Sequence, residues 1–304
     1  MYTKLLFFSL CLLIFVAHTG SNETVLAQSV DCNLCHGDLS DKKNVHPAVQ
    51  MGCTTCHAGI DAKNIPHQVT NSTPKGLSSQ QPDMCFGCHD HSLFEGDKAV
   101  HSPVGFGMCT SCHSPHSSDN EKLLTAEMPD LCYTCHDRET LTSAVMHTPA
   151  QVGLCITCHN PHQANIKGLL IHEMPDLCFQ CHDKGPFTKK NIHPPVAGNL
   201  CIDCHNPHAS QNDYMLSKKP VQLCLDCHPS LGKEPHVLAK RGHPIGLNQN
   251  KIKRSKKSSG KSSKKKEKEF YCGNCHEPHS SNWNNLFKFE ASTIFELCIN
   301  CHQK

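Results

Sequence analysis

The 304-residue chain has one tryptophan, four tyrosines and twelve phenylalanines, so its aromatic share is only 6%. Its hydrophobic share of 38% counts 23 cysteines, which leaves few aliphatic side chains to bury. A length that ordinarily gives two globular domains therefore lacks the material for two ordinary cores. Long apolar runs are scarce as well: beyond residues 5–17 no stretch is apolar enough to span a bilayer, which excludes a polytopic helical membrane protein. No long period of 3.6 or 2.0 survives the scattered Pro, Gly, Asn and Ser. Something other than side chains has to fill the interior.

Residues 1–27 read as a secretory signal, with Lys4 as the positive charge, residues 5–17 as the apolar run and Val25-Leu26-Ala27 before the cleavage point. An uncleaved anchor is the rival reading. Cys11 lies inside the apolar run without small residues just before it, which speaks against a lipoprotein signal.

What the sequence has in abundance is cysteine and histidine, 23 and 25 respectively. In an exported chain so many cysteines suggest a disulfide framework, but the spacing argues otherwise. Every cysteine after residue 27 belongs to a C-x-x-C pair followed at once by histidine, and none is left over. The pairs are Cys32 and Cys35, Cys53 and Cys56, Cys85 and Cys88, Cys109 and Cys112, Cys132 and Cys135, and Cys155 and Cys158. They continue with Cys178 and Cys181, Cys201 and Cys204, Cys224 and Cys227, Cys272 and Cys275, and Cys298 and Cys301. A disulfide scaffold has no use for the histidine, and a zinc framework needs none after every second cysteine. C-x-x-C-H is the attachment signature of a c-type haem. Two thiols on one turn add to the two vinyl groups of one porphyrin, and the adjacent imidazole lies under the ring and reaches the iron.

The first cysteines from Cys109 to Cys224 advance by 23 residues five times, the mark of a repeat array. Two kinds of motif alternate, so the unit is 46 residues with two haems. One kind continues C-x-x-C-H-x-Pro-His, at Cys109, Cys155, Cys201 and Cys272. The other follows an apolar residue, as in Met128-Pro129-Asp130-Leu131-Cys132 and Met174-Pro175-Asp176-Leu177-Cys178. Asp130 and Asp176 are candidate helix caps. Fourteen residues after the first cysteine comes an apolar pair: Leu123-Leu124, Leu169-Leu170, Met215-Leu216 and Leu286-Phe287. These pack either on porphyrin faces or as a small aliphatic cluster between loops. The expected fold is mostly irregular with short α-helices: a haem-cored repeat array with little or no β-sheet. Its divisions are an N-terminal three-haem segment (28–107), periodic repeats with six haems (108–246), a Lys-rich disordered loop (247–270) and a C-terminal two-haem segment (271–304).

Comparison between repeats sorts the remaining histidines. Thirteen lie after residue 27 and outside the attachment motifs. Six follow a proline: His67, His116, His162, His208, His236 and His279. Five precede a proline by one or two residues: His46, His101, His147, His193 and His243. These eleven are the candidate distal ligands, one for each of eleven irons, and His162 is read as the ligand of the next haem along. His172 and His91 fall where other repeats carry Ala126 or Arg138 and Lys184, so they read as surface histidines.

The formal charge of +2 conceals an asymmetry, since ten of the 29 basic residues lie within 251–268. Outside the Lys-rich loop the polypeptide carries 19 basic and 25 acidic residues, a net −6. The loop is either a plain spacer or a tether to anionic surfaces such as lipid headgroups, polysaccharide or an acidic cytochrome. Export argues against nucleic acid as its partner.

With eleven attachment motifs and the recurring C-x-x-C-H-x-Pro-His, the chain from Cys32 to His302 resembles the multihaem c-type cytochromes with doubled C-x-x-C-H motifs. The resemblance implies eleven covalent haems c whose proximal ligands are His36, His57, His89, His113, His136, His159, His182, His205, His228, His276 and His302. It implies an exported electron carrier of a bacterium or archaeon, in the periplasm, at the outer membrane or at the cell surface. Implied partners are other cytochromes or quinol-linked donors, a porin–cytochrome complex, or further copies of the chain. One haem per roughly 25 residues forces neighbouring cofactors into contact, which favours a conduit for electrons over a catalyst. A multihaem reductase with one substrate-accessible iron and a subunit of an extracellular filament are the alternatives.

Overall fold

The computed structural model describes residues 30–91, 99–233 and 271–300. The signal sequence, the Lys-rich loop, His236, His243, Cys301 and His302 lie outside the described residues. The fold is mostly irregular, with short helices and small strands, and its repeats follow the 46-residue unit. Most helices are single turns, and many carry the cysteine motifs: Asp83–Phe86, Asp130–Tyr133, Asp176–Phe179 and Cys201–Cys204 are α-helical. Cys53–Thr55, Cys109–Ser111, Cys155–Thr157 and Cys272–Asn274 are 3₁₀ turns. A single turn suffices, because it needs only to bring two cysteines to one side.

Asp130 and Asp176 do not cap these helices. Each is the first helical residue after Pro129 or Pro175, without a side-chain capping bond. Proline already occupies the entry position, and each carboxylate turns instead to a cation eight residues on: Asp130 to Arg138 at 2.6 Å and Asp176 to Lys184 at 3.9 Å. The same cations cover the aromatic residue after the first cysteine, with Arg138 4.4 Å from the Tyr133 ring centre and Lys184 5.3 Å from that of Phe179. His91 occupies this position one repeat earlier, 4.4 Å from Phe86.

Ten strands of two residues are present among the described residues. In chain order they are β1 (Asn44–Val45), β2 (Ile60–Asp61), β3 (Gln68–Val69), β4 (Ala99–Val100), β5 (Ser117–Ser118), β6 (Val145–Met146), β7 (Gln163–Ala164), β8 (Asn191–Ile192), β9 (Ala209–Ser210) and β10 (Ser280–Ser281). All pair antiparallel in twos: β2 with β3 locally, and β1 with β5, β4 with β7, β6 with β9 and β8 with β10 over long sequence separations. Each long-range ladder joins the strand before a distal-type histidine to the strand after a Pro-His of a later repeat.

The buried side chains are small and polar. Ser117, Ser118, Gln163, Ser210, Ser280 and Ser281 are buried, and the buried apolar side chains among the described residues are Ala209 and Val221. The serine hydroxyls are not orphaned: Ser118, Ser210 and Ser281 each donate to the carbonyl six residues ahead, of Leu124, Leu216 and Phe287. Large apolar side chains stand open instead, with Leu34 83%, Phe106 80% and Tyr214 75% exposed. Among the described residues the polypeptide alone forms no hydrophobic core.

Candidate functional site

The histidines come in facing twos. Nine motif histidines each face a second one: His36 and His67, His57 and His116, His89 and His46, His113 and His162, His136 and His101, His159 and His208, His182 and His147, His205 and His279, and His228 and His193. The ring centres lie 5.9–6.3 Å apart. Eight pairs are within 30° of parallel, and His36–His67 is tilted by 46°. At this distance the rings neither stack in contact nor bond to each other. A metal–imidazole bond is about 2.0–2.1 Å, and ring bonds near the 1.33 Å of a partial-double C–N give an imidazole radius of about 1.15 Å. Two axial rings therefore sit about 6.4 Å apart across one metal ion, close to what is observed. Among the described residues no three His, Cys, Asp or Glu converge as a zinc site would require. Sets of two fit a porphyrin iron, whose four other ligands come from the ring.

Backbone carbonyls fix the orientation of these rings. Nδ1 of His113, His159, His205 and His276 lies 2.8–2.9 Å from the carbonyl nine residues ahead, of Lys122, Gly168, Tyr214 and Asn285. His57 does the same with Lys75 at 2.9 Å. A carbonyl can only accept, so Nδ1 donates and the Nε2 lone pair is left for a metal. The five acceptor residues all have positive φ, between 52° and 77°, and each is followed by a second left-handed residue. A tight double-left-handed turn thus aims one carbonyl at the imidazole. The apolar pairs of the repeats sit on this turn, and Leu124, Leu170, Leu216 and Phe287 bridge back to the motif histidine.

The second histidines are held in the same way, from farther off. Nδ1 of His101 and His147 lies 2.9 Å from the carbonyls of Pro161 and Pro207, and that of His193 3.0 Å from Pro278. Burial lowers the pKa of His116, His162, His193, His208 and His279 below the ordinary 6.5, which favours the neutral form a metal needs.

The cysteines of successive motifs also meet. The thiols of Cys32, Cys85, Cys132, Cys178 and Cys224 feel those of Cys53, Cys109, Cys155, Cys201 and Cys272, respectively. Burial and the neighbouring thiol push Cys85 and Cys132 up to about 11. Cys56, Cys112, Cys158 and Cys204 lie in turn within electrostatic reach of Cys85, Cys132, Cys178 and Cys224. Motif thus adjoins motif in chain order from Cys32 to Cys272, and none of the described cysteines is in a disulfide.

Set against known families, the chain matches the doubled CXXCH motif model five times, at residues 46–93, 101–141, 147–187, 193–233 and 264–304. Together the matches cover more than two thirds of the sequence. The chain belongs to the doubled CXXCH motif family. It is thus a multihaem c-type cytochrome that carries covalent haem c and serves electron transfer. Four of the five matches in this cytochrome begin on a distal-type histidine: His46, His101, His147 and His193. The matches include ten of its eleven motifs, and Cys32–His36 lies ahead of them. No curated protein matches the chain.

The geometry departs from the sequence reading in one direction. His162 faces His113, the histidine of the motif at Cys109, and not that of any following motif. His101, eight residues before Cys109, passes over that motif and faces His136. The reason is the ladder of β4 with β7, which lays residues 99–101 alongside 162–164. His172 is exposed and joins none of the nine pairs. The carbonyl-bearing turns went unread in the sequence. Their residue types vary because the backbone acts, and Gly168 and Asn285 were the available signals of positive φ.

Proposed function

We propose that this cytochrome is an exported undecahaem conduit, in which electrons pass between bis-histidine haems in chain order. The observation that carries the reading is the series of nine histidine pairs with a metal-sized gap, each made of one attachment-motif histidine and one distal candidate. Haem c, when bound, supplies a one-electron couple at its iron. The cysteine pairs would fix each haem by two covalent bonds, and the nine facing histidine pairs would supply imidazole ligands to nine of the irons. Nδ1 hydrogen bonds to carbonyls keep the imidazoles oriented and raise their basicity. Exposed apolar side chains such as Phe106 would be available to cover porphyrin surface. The adjacency of the motifs in chain order would place successive haems beside one another.

Electrons enter from a cytochrome or quinol-linked donor and leave to a second redox protein. The basic residues of the Lys-rich loop suit an acidic partner or an anionic surface. A reductase would need an iron with an exchangeable position, which two histidines deny to small ligands. Carbon monoxide distinguishes the two. The reduced holoprotein should keep its visible spectrum under carbon monoxide, whereas a carbonyl complex amounting to one haem per chain would favour the reductase.

A further inference from the structure

Each long-range ladder carries two distal histidines that belong to different haems. The amide of His101 donates to the carbonyl of His162 at 2.9 Å, and the amide of His147 to that of His208 at 2.9 Å. His162 faces the motif at Cys109 while His101 faces that at Cys132. His208 faces the motif at Cys155 and His147 that at Cys178. The Pro-His segment is thus two-sided: its histidine ring serves one haem, and its two carbonyls hold the ligand of the next.

One side chain shapes that segment. Asn160 Oδ1 accepts from the amides of His162 at 3.0 Å and Gln163 at 3.4 Å. Asn206 Oδ1 accepts from those of His208 at 3.0 Å and Ala209 at 3.4 Å. At Cys109 the shorter Ser114 takes this role, its hydroxyl 3.4 Å from the amide of His116. The asparagine closes an Asx-turn on the backbone that presents both carbonyls. Its own backbone N–H is tied separately: that of Asn160 donates to the Leu169 carbonyl and that of Asn206 to the Met215 carbonyl, both at 2.8 Å.

We propose that Asn160 and Asn206 are positioning residues, each setting the axial ligation of two haems at once: those at Cys109 and Cys132 for Asn160, and those at Cys155 and Cys178 for Asn206. The inference rests on the ligation reading above. Without the side chain the turn relaxes, the ring of His162 drifts from its iron, and Nδ1 of His101 loses the carbonyl that aligns it. Loss of an outer partner of a metal ligand typically weakens binding about 10–100-fold.

The test is a cyanide titration of the ferric holoprotein, with the displaced histidines counted by visible and EPR spectroscopy. Asn160→Ala should admit cyanide at two haems per chain at about 10–100-fold lower concentration than the parent. Asn160→Asp keeps an acceptor oxygen and should restore the parent curve. Asn206→Ala should behave like Asn160→Ala and covers the case in which the first variant does not mature. An unchanged titration, or a change confined to one haem, would overturn the proposal. His162→Ala separates the underlying reading: it should open one haem outright, and if it opens none, the ligation assignment has failed rather than the role of the asparagine.

Discussion

His162 stands where two ligand relationships cross, and it is the first side chain to remove. Its ring faces His113 at 5.9 Å while its carbonyl accepts from His101. His162→Ala deletes the ring and keeps the carbonyl, so one haem, that at Cys109, should become high-spin. Integration of the ferric high-spin EPR signal should give one haem per chain, and a fully low-spin variant would refute the assignment. The left-handed turns give a second prediction at this scale. Lys122 is exposed at φ 54°, and it contributes a carbonyl rather than a side chain. A β-branched residue is poorly tolerated in that region, which costs L-residues about 1–2 kcal/mol. Lys122→Val should therefore be less stable than Lys122→Gly by about that amount, as read from denaturation midpoints of the two holoproteins. By contrast Asp130 and Arg138, though 2.6 Å apart, have side chains 71% and 61% exposed. Water screens such a pair, and Asp130→Ala should change stability by less than about 1 kcal/mol in the same assay.

At the scale of elements, two pairs of cysteine motifs are packed by a glycine against a proline. Gly153, two residues before Cys155, has φ +77°, and a Cβ there would lie 2.7 Å from Cδ of Pro129, three residues before Cys132. Gly107 meets Pro82 in the same way before Cys109. Gly168 has the same φ of +77° but open space around it. Gly168→Ala should therefore cost only the backbone strain, while Gly153→Ala adds overpacking of about 1–3 kcal/mol. Equal losses of stability would show that the contact with Pro129 does not hold the two motifs together. This scale also marks how far the sequence could be read. The motifs, the 46-residue unit and the irregular backbone were legible, because covalent attachment demands fixed residue types. The ladders were not: Val145–Met146 against Ala209–Ser210 is two residues long and leaves no period to detect. Nor were the buried serines, since Ser-Ser in a sequence looks like loop until its hydroxyls find the carbonyls of Leu124 or Phe287. The pairing of His162 with His113 follows the ladder of β4 with β7, which neighbours in sequence do not reveal.

At the scale of the whole molecule, the ladders and the thiol contacts alternate. Cysteines join the motifs at Cys85 and Cys109 and those at Cys132 and Cys155, while the ladder of β4 and β7 joins the ligands of those at Cys109 and Cys132. The ladders also cross from 28–107 into 108–246, through β1 with β5 and β4 with β7, and from there into 271–304 through β8 with β10. On the proposed reading, motifs tied alternately in this way would hold their haems in a row from Cys32 to Cys272. On the proposed reading, eleven motifs without a spare thiol after residue 27 would each take one haem. Pyridine haemochrome analysis against protein concentration should give eleven per chain, and a markedly lower number in fully matured protein would contradict the attachment count. The conduit itself rests on every iron having two imidazoles. The measurement that tests this most directly is EPR spin quantitation of the oxidised holoprotein. The account predicts that low-spin ferric haem accounts for all the iron; a high-spin signal integrating to one whole haem per chain would contradict it.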